Sequence, residues 1–280
     1  MRKMIFKFLG TRGSYPSPKK ENSRYGGNTS CVELSNQDTS LILDAGTGIL
    51  NLDLDFYTQL PRIDILLTHL HMDHIQGLAF FKPLFQQGME VHIWGPHGNS
   101  DSLRSRLNRY LSPPLFPMPL RDLPCNLHIH EVADSTFRIG SFDITSDFVI
   151  HPGPTVGYRI QHQNKILAYI PDHEPMIGSL DLYPNDKWVS GLSLCQQADV
   201  LIHDAMYTNQ EYWTRIGWGH SASQHALQMA RRADVKRLFL FHHDPDHSDA
   251  FLDQVRAELH HKNNGFLQVD LAVQGREYAL

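Results

Sequence analysis

Cysteine is scarce in this sequence. The 280 residues include only Cys31, Cys125 and Cys195, which are widely spaced and odd in number. Neither a disulfide framework nor a CxxC zinc knuckle can be built from them, so we expect buried, reduced thiols. A chain of this length buries enough apolar surface without covalent links, and it predicts one α/β domain over residues 1–280.

Long apolar runs and an excess of positive charge are also missing. No run approaches the roughly 18 apolar residues of a membrane span, and Lys7 interrupts the apolar stretch at the N-terminus, so neither a membrane helix nor a signal peptide is predicted. The net charge of −5 argues against a non-specific nucleic-acid binder, which needs a basic surface. We therefore expect a cytoplasmic protein that has no membrane partner.

Histidine, by contrast, is abundant, with 18 residues that often lie in short clusters at the ends of apolar runs. Such runs predict buried strands of a layered α/β fold, polar only where they leave the sheet. Their polar ends should meet at one rim, which is where these folds bind ligands. The runs that end in Asp or His are Leu41–Asp44, Ile63–His69, Ile166–Asp172, Val200–Asp204 and Leu238–His242.

Helical segments alternate with these strands. In Ser221–Ala233 the apolar residues fall on one face, and Ser221 or Ser223 is placed to cap the first turn. Ala250–His260 has the same periodicity. The alternation of strands with helices favours a layered α/β fold.

Proline is concentrated in an insert at residues 111–124, LSPPLFPMPLRDLP. The prolines exclude a regular helix and predict an extended segment. Two interpretations stay open. Either the insert is an ordered surface connection, or it is a lid or partner surface that brings Leu115, Phe116 and Met118 to the mouth of a pocket.

The strongest chemical signal is a run in which His69, His71, Asp73 and His74 fall within six residues, directly after an apolar strand. Imidazole and carboxylate groups are ligands of zinc, manganese, iron and nickel. In an extended turn His69 and His71 point to one side, whereas Asp73 and His74 swing toward an adjacent point as the next helix begins. Four ligands on one loop therefore suit two neighbouring ions better than one.

Two ions need ligands from other parts of the chain. The strand-end residues His151, Asp172 and His242 are placed to supply them. Near the N-terminus, Asn28 and Thr29 follow a pair of glycines and are candidates to present amides and hydroxyls to a phosphate. A simple hairpin turn explains the same residues equally well.

The run THLHMDH, residues 68–74, resembles the HxHxDH signature of the metallo-β-lactamase superfamily. The resemblance extends along the chain in the order of the family's motifs. Asp44 in LDAGTG resembles the early Asp-x-Gly motif, His151 in HPGP the third-histidine motif, Asp172 the bridging carboxylate and His242 the final histidine. The resemblance implies an α/β fold of four layers, an αββα sandwich in which helices flank two mixed sheets.

The resemblance also implies a ligand set for two divalent metal ions. The first ion would be bound by His69, His71 and His151, the second by Asp73, His74 and His242, and Asp172 would bridge them. His243 is an alternative to His242, and His173 is expected to lie outside the ligand set. Zinc is the default metal, although manganese, iron and nickel use the same groups.

Two further motifs resemble those of ribonuclease Z and its phosphodiesterase relatives. IHDAMY, residues 202–207, is similar to their His-Glu-Ala-Thr motif with Asp204 in place of the glutamate, and GHSAS, residues 219–223, is similar to their His-Ser-Thr motif. The resemblance implies that His220, aligned by Asp204, protonates the leaving oxygen, and that Asp73 completes the catalytic set. The alternative for His220 is a purely structural imidazole before a helix.

Ribonuclease Z carries a long tRNA-clamping arm between the motifs that match His151 and Asp172, whereas here twenty residues separate them. We therefore expect no tRNA substrate, and instead a small or cyclic phosphodiester or a nucleotide, attacked by a hydroxide that bridges the metals. A homodimer is compatible with the sequence. The alternatives are a lactone, thioester or β-lactam hydrolase on the same scaffold, and a non-catalytic binding module stabilised by metal.

Overall fold

Two β-sheets of seven strands each organise the chain. They are seen in a computed structural model that describes residues 4–36, 39–57, 60–262 and 267–280. In chain order the strands are β1 (Ile5–Gly10), β2 (Cys31–Ser35), β3 (Ser40–Leu43), β4 (Arg62–Leu66), β5 (Glu90–Pro96), β6 (Asn126–Val132), β7 (Ser135–Ile139), β8 (Phe142–Phe148), β9 (Val156–His162), β10 (Lys165–Ile170), β11 (Val200–Asp204), β12 (Arg237–Phe241), β13 (Gln268–Leu271) and β14 (Glu277–Ala279).

Both sheets are mixed. The first has the order β14-β1-β2-β3-β4-β5-β6, and the second β13-β12-β11-β10-β9-β8-β7. Pairing is antiparallel from β14 to β3 and from β7 to β10, and parallel from β3 to β6 and from β10 to β13. Each sheet thus sends the carboxyl ends of four parallel strands to one edge, where layered α/β folds bind ligands.

Helices connect the parallel strands. In chain order they are α1 (Leu54–Tyr57), α2 (Met72–Ile75), α3 (Leu103–Tyr110), α4 (Leu192–Cys195), α5 (Asn209–Tyr212), α6 (Ser223–Arg232) and α7 (Asp249–Lys262). Short 3₁₀ turns add to them at Lys20–Asn22, Thr47–Asn51, Gln76–Phe80, Lys82–Phe85, Leu120–Asp122 and Asp186–Trp188.

Three apolar cores define four layers. The central core takes side chains from both sheets, among them Phe8, Ile160 and Phe239, and so lies between the sheets. A second core joins β4 and β5 to α3, and a third joins β10 to β13 to α4, α6 and α7. This is the expected sandwich, in which the two sheets pack face to face and helices cover their outer sides.

The apolar runs that end in Asp or His are strands β3, β4, β10, β11 and β12, with bounds within a few residues of those predicted. Helix α6 also matches its prediction, but the expected serine cap is wrong. The backbone N–H of Ala222 donates to the ring of His225 (3.2 Å), while the Ser221 hydroxyl donates to the carbonyl of His173 (2.6 Å). The buried position of Ser221 diverts its hydroxyl from the helix end.

The proline-rich insert, residues 111–124, packs mainly against the first sheet's outer core. Phe116 and Leu120 are buried there and Met118 is partly buried, whereas Leu115 is 71% exposed. These contacts fit the ordered surface connection better than a lid, because two of the three apolar side chains expected at a pocket mouth lie in the core.

Within the described ranges, no helix has both the length and the hydropathy needed to cross a membrane. The single domain over residues 1–280, the homodimer and the cytoplasmic location stay predictions. The three cysteines are buried and unpaired, as expected from their spacing.

The central core generates a stability prediction. Phe239 is completely buried, and its ring contacts those of Phe6, Phe8 and Tyr278 at centroid distances of 5.5, 5.3 and 4.8 Å. Phe239→Ala leaves a cavity between the sheets, so urea unfolding should show a loss of about 3–5 kcal/mol. The control Phe80→Ala removes a ring that is 66% exposed and should cost within about 0.5 kcal/mol. Equal effects of the two substitutions would contradict this packing.

Candidate metal centre

The histidine-rich run is positioned by the turn that follows β4. The N–H and the hydroxyl of Thr68 both donate to the carboxylate of Asp44, at 2.7 and 3.0 Å. Helix α2 then begins at Met72, so His69 and His71 lie before the helix while Asp73 and His74 lie in its first turn. The local fold therefore separates the four side chains into two pairs, as the spacing predicted.

The first pair belongs to a cluster of four residues, here called the His69 cluster: His69, His71, His151 and Asp172. One ligand atom from each lies within 4.8 Å of the others. Nδ1 of His71 is 3.1 Å from Nε2 of His151, and Oδ2 of Asp172 is 3.7 Å from Nε2 of both His69 and His151. His71 is exposed, so this cluster opens to solvent.

The second pair belongs to the His74 cluster, formed by Asp73, His74, Asp172 and His242. Oδ2 of Asp73 is 3.0 Å from Nε2 of His242 and 3.4 Å from Nε2 of His74. Oδ1 of Asp172 is 2.9 Å from Nε2 of His74 and 3.3 Å from Nε2 of His242. All four residues are buried.

These distances fit a divalent metal ion. Bonds of about 2.0–2.1 Å to a tetrahedral zinc ion place neighbouring ligand atoms roughly 3.3 Å apart. The distances in the His74 cluster span 2.9–3.4 Å, including 3.3 Å between the ring nitrogens of His74 and His242. In addition, Nε2 of His69 is buried and has no hydrogen-bond partner among the described residues. Both clusters thus have the atoms and spacing that a metal needs.

Asp44 holds the ring of His74 from behind. Its Oδ2 accepts a hydrogen bond from Nδ1 of His74 (2.8 Å) and one from the hydroxyl of Tyr169 (2.9 Å), and Asp44 is completely buried. A carboxylate on the far nitrogen fixes the tautomer and leaves Nε2 free for a metal. In the same way, Nδ1 of His151 donates to the carbonyl of Gly219 (2.7 Å).

The glycine-rich N-terminal segment lies directly under the His74 cluster. The backbone N–H of Ser14 donates to Oδ2 of Asp73 (2.7 Å), and a Cβ atom added to Gly13 would lie 2.4 Å from the ring of His242. Thr29, a candidate phosphate contact, instead accepts from the N–H of Thr47 (2.8 Å). This segment therefore supports the His74 cluster. The close approach to His242 explains why residue 13 is glycine, and no phosphate site is needed to explain it.

His220 lies beside both clusters. Its Nδ1 is 2.8 Å from Oδ2 of Asp204, and its ring stacks on that of His242 at a centroid distance of 4.9 Å. Burial disfavours the charged imidazole, but the charge of Asp204 and the hydrogen bond to it raise the pKa of His220 to about 9. The aspartate thus reaches the histidine despite being shorter than the glutamate of the related motif.

The carboxylate of Asp204 is itself held in place. Its Oδ2 also accepts from the N–H of His173 (3.0 Å), and its Oδ1 accepts from the N–H of Met206 (2.9 Å). His173 points away from the metal clusters toward His203, with 3.1 Å between the ring nitrogens. His173 therefore takes no part in either cluster, as its sequence position suggested.

The choice between His242 and His243 is also visible in the geometry. His242 lies in the His74 cluster, whereas Nε2 of His243 donates to the carbonyl of Ala272 (2.9 Å). Burial and the nearby charge of Arg12 lower the pKa of His243 to about 3. The structure thus brings together all seven sequence-predicted ligands, and their binding of metal stays a prediction.

Two buried charged residues escaped the sequence analysis. Glu174 is 1% exposed, and its carboxylate accepts from the N–H groups of Gly217 (3.0 Å) and Gly219 (2.9 Å). Arg12 is completely buried and donates to the carbonyls of Gly26 (2.8 Å) and His247 (2.7 Å). Glu174 thus fixes the loop that leads to His220, the candidate acid. The only signal for this role in the sequence is the position of Glu174 two residues after Asp172.

The fold and the site define a class of protein. Residues 39–243 match the family model described as a beta-lactamase superfamily domain, and this range is most of the chain. The chain belongs to the β-lactamase superfamily. It is a metal-dependent hydrolase, and its residues form two clusters suited to divalent metals.

Within this superfamily, the chain is similar to several individual proteins. Ribonuclease Z of Thermoplasma acidophilum is 26% identical over 293 aligned residues, which cover 90% of this chain and 90% of that protein. YhfI of Bacillus subtilis, a metallo-beta-lactamase fold protein, superposes with a TM-score of 0.71 at 20% identity over 100% of both chains. The short form of human tRNase Z superposes with a TM-score of 0.67 at 22% identity over 98% of each. The resemblance to the ribonuclease Z branch and the expected fold are confirmed.

The expectation that tRNA is excluded is wrong. It rested on the short distance between His151 and Asp172, where the structure has only β9 and β10 joined by a two-residue turn. Ribonuclease Z of T. acidophilum nevertheless aligns along 90% of this chain, and the short form of human tRNase Z shares its fold. The absence of an arm at one position therefore does not exclude tRNA.

The position of Asp44 behind His74 generates a prediction for metal affinity. Asp44→Asn removes the negative charge from the far side of the ring and should weaken zinc binding about 10–100-fold, measured by competition with a chromogenic chelator. Asp199 is a matched control, because it is a buried carboxylate that accepts a hydrogen bond from Lys236 (2.8 Å). It lies just before β11, at the end of that strand away from the metal clusters. Asp199→Asn should leave zinc affinity unchanged. Wild-type affinity in Asp44→Asn would refute this role.

Proposed function

We propose that this chain is a phosphodiesterase with a binuclear metal centre. The observation that carries the proposal is the position of Asp172 between the His69 cluster and the His74 cluster. Its Oδ2 faces the first cluster and its Oδ1 the second, so that one carboxylate can bridge two ions. The proposed ligands are His69, His71, His151, Asp73, His74, His242 and Asp172.

The charge of the site favours an anionic substrate. Two divalent ions carry four positive charges, against which Asp73 and Asp172 supply two negative charges. Bound there, such ions lower the pKa of water and polarise a phosphate oxygen. Zinc is the proposed metal because imidazoles dominate the site.

The chain's own residues handle the proton of the leaving group. Nδ1 of His220 is engaged by Asp204, so Nε2 is the nitrogen that holds a proton for the departing oxygen. His220 is 9% exposed and its ring stacks on that of His242, so the proposed acid lies beside a proposed metal ligand. Asp204 favours the protonated ring, as a general acid requires.

The surroundings of the site offer an apolar surface to the substrate. Met72, Ile150 and Trp218 are 49%, 42% and 58% exposed, and each is next in the chain to a residue of the site or of its support. The guanidinium of Arg215 lies 4.8 Å above the ring of Trp218. An aromatic ring with an arginine is suited to a nucleobase. A nucleotide, a cyclic nucleotide and the 3′ end of a tRNA precursor all present a nucleobase.

The first test concerns the bridging carboxylate. Asp172→Asn should lose at least one metal equivalent and more than about 10²-fold in kcat on bis-p-nitrophenyl phosphate, because the bridge loses its charge. Asp199→Asn makes the same change in a buried carboxylate away from the metal clusters. This control should keep the wild-type metal content and the wild-type kcat. Nucleotides, cyclic nucleotides, a tRNA precursor, a thioester and a cephalosporin complete the panel. Hydrolysis of the last two without any phosphodiester would overturn the proposal.

The second test concerns His220. His220→Ala should keep both metals and slow the cleavage of an alkyl phosphodiester about 10²–10⁴-fold, because a poor leaving group needs a proton. The p-nitrophenyl ester, whose leaving group departs without a proton, should be much less affected. An equal loss on both substrates would remove the role as an acid and would leave a structural one.

A further inference from the structure

The geometry points to a separate Zn²⁺ site on β5 and β6, formed by Glu90, His92 and His128. One ligand atom of each residue lies within 4.8 Å of the other two. Two imidazoles and a carboxylate are a common set of protein ligands for zinc, which leaves a fourth position for water. None of the three residues belongs to the metal centre described above.

The pairing of the two strands brings these side chains together. β5 and β6 are parallel, and His92 is the register partner of His128. Glu90 is two residues before His92, so both side chains leave β5 on the same face. The rings of His92 and His128 stack at a centroid distance of 4.5 Å with 19° between their planes. The cluster is thus a direct product of strand register.

The orientation of His92 suits a metal ligand. Its Nε2 is 2.6 Å from Oε1 of Glu90, and its Nδ1 is 2.8 Å from Nε2 of His130. With zinc on Nε2, the neutral ring of His92 would carry its one proton on Nδ1, and this N–H would donate a hydrogen bond to Nε2 of His130. A second hydrogen bond of this kind fixes the ring of a metal-bound histidine.

His130 is itself fixed by neighbouring rings. It stacks on Trp94 at 3.9 Å, and the indole N–H of Trp94 donates to Asp64 (2.9 Å). Arg62 donates to both oxygens of the Asp64 carboxylate, at 2.7 and 2.8 Å, so the charge of this arginine is paired. The site is therefore supported by side chains of the sheet.

The site is accessible from solvent. His92 is 7% exposed, while the side chain of Glu90 is 43% exposed and His128 is exposed. Two ligands can therefore adjust around a fixed one. The three residues lie in the first half of β5 and β6, whereas the metal centre follows the opposite, carboxyl ends of β3 and β4. Removal of one site should leave the other intact.

The test compares zinc stoichiometry in four full-length proteins by equilibrium dialysis with elemental analysis. We expect His128→Ala and Glu90→Gln to bind one zinc equivalent fewer than the wild type and to keep wild-type hydrolase activity. His97→Ala is the matched control, because His97 is an exposed histidine whose Nδ1 bonds to Glu131 (3.0 Å) outside the cluster. It should keep the full zinc content.

The readout is the difference between variant and wild type, so it does not depend on how many ions the metal centre holds. Zinc content in His128→Ala equal to that of the wild type would overturn the site. A loss of zinc in His97→Ala as well would also overturn it, since surface histidines would then bind zinc without this geometry. All three substitutions change side chains that are exposed to solvent, and circular dichroism should show unchanged folding.

Discussion

The carboxylate of Asp172 is the constraint on which the rest of the site depends. It is 1% exposed, and an isolated charge buried to that extent would cost several kcal/mol. Burial alone would raise the pKa of Asp172, but the surrounding His242, His74 and His69 hold it well below its usual range. The chain can bury this group only if strands of both sheets deliver imidazoles to the same point. The packing of the two sheets and the burial of the Asp172 carboxylate therefore depend on each other.

His74 and His151 are themselves held by buried hydrogen bonds on the sides of their rings away from the clusters. Asp44 holds His74, the carbonyl of Gly219 holds His151, and Glu174 holds the loop that supplies this carbonyl. Each of these contacts is buried and joins segments that are at least thirty residues apart. Because the rings are fixed by contacts on their far sides, the near nitrogen of each stays directed into its own cluster. A site built in this way is preorganised.

The apolar runs that end in Asp or His predicted the central strands, and the resemblance to the metallo-β-lactamase superfamily supplied the seven residues that the structure brings into two clusters. These runs did not predict β6 or β7, in which only the last residue is buried and the others are exposed or partly buried, without a continuous apolar run. Buried charges were equally out of reach. Arg12 bonds to carbonyls more than 230 residues away, and only the folded chain creates that pairing.

The spacing between two motifs does not decide whether tRNA is a substrate, and the reason is physical. An arm between two motifs is a surface feature, whereas the proposed cleavage depends on the metal clusters and His220. The same reacting centre can serve a small phosphodiester or the end of a long RNA, because both present one phosphorus and one leaving oxygen. What selects between them is the surface around the site. There the exposed Trp218 and the Arg215 above it, on a loop that Glu174 fixes, are the proposed contacts for the part of a substrate beyond its phosphate.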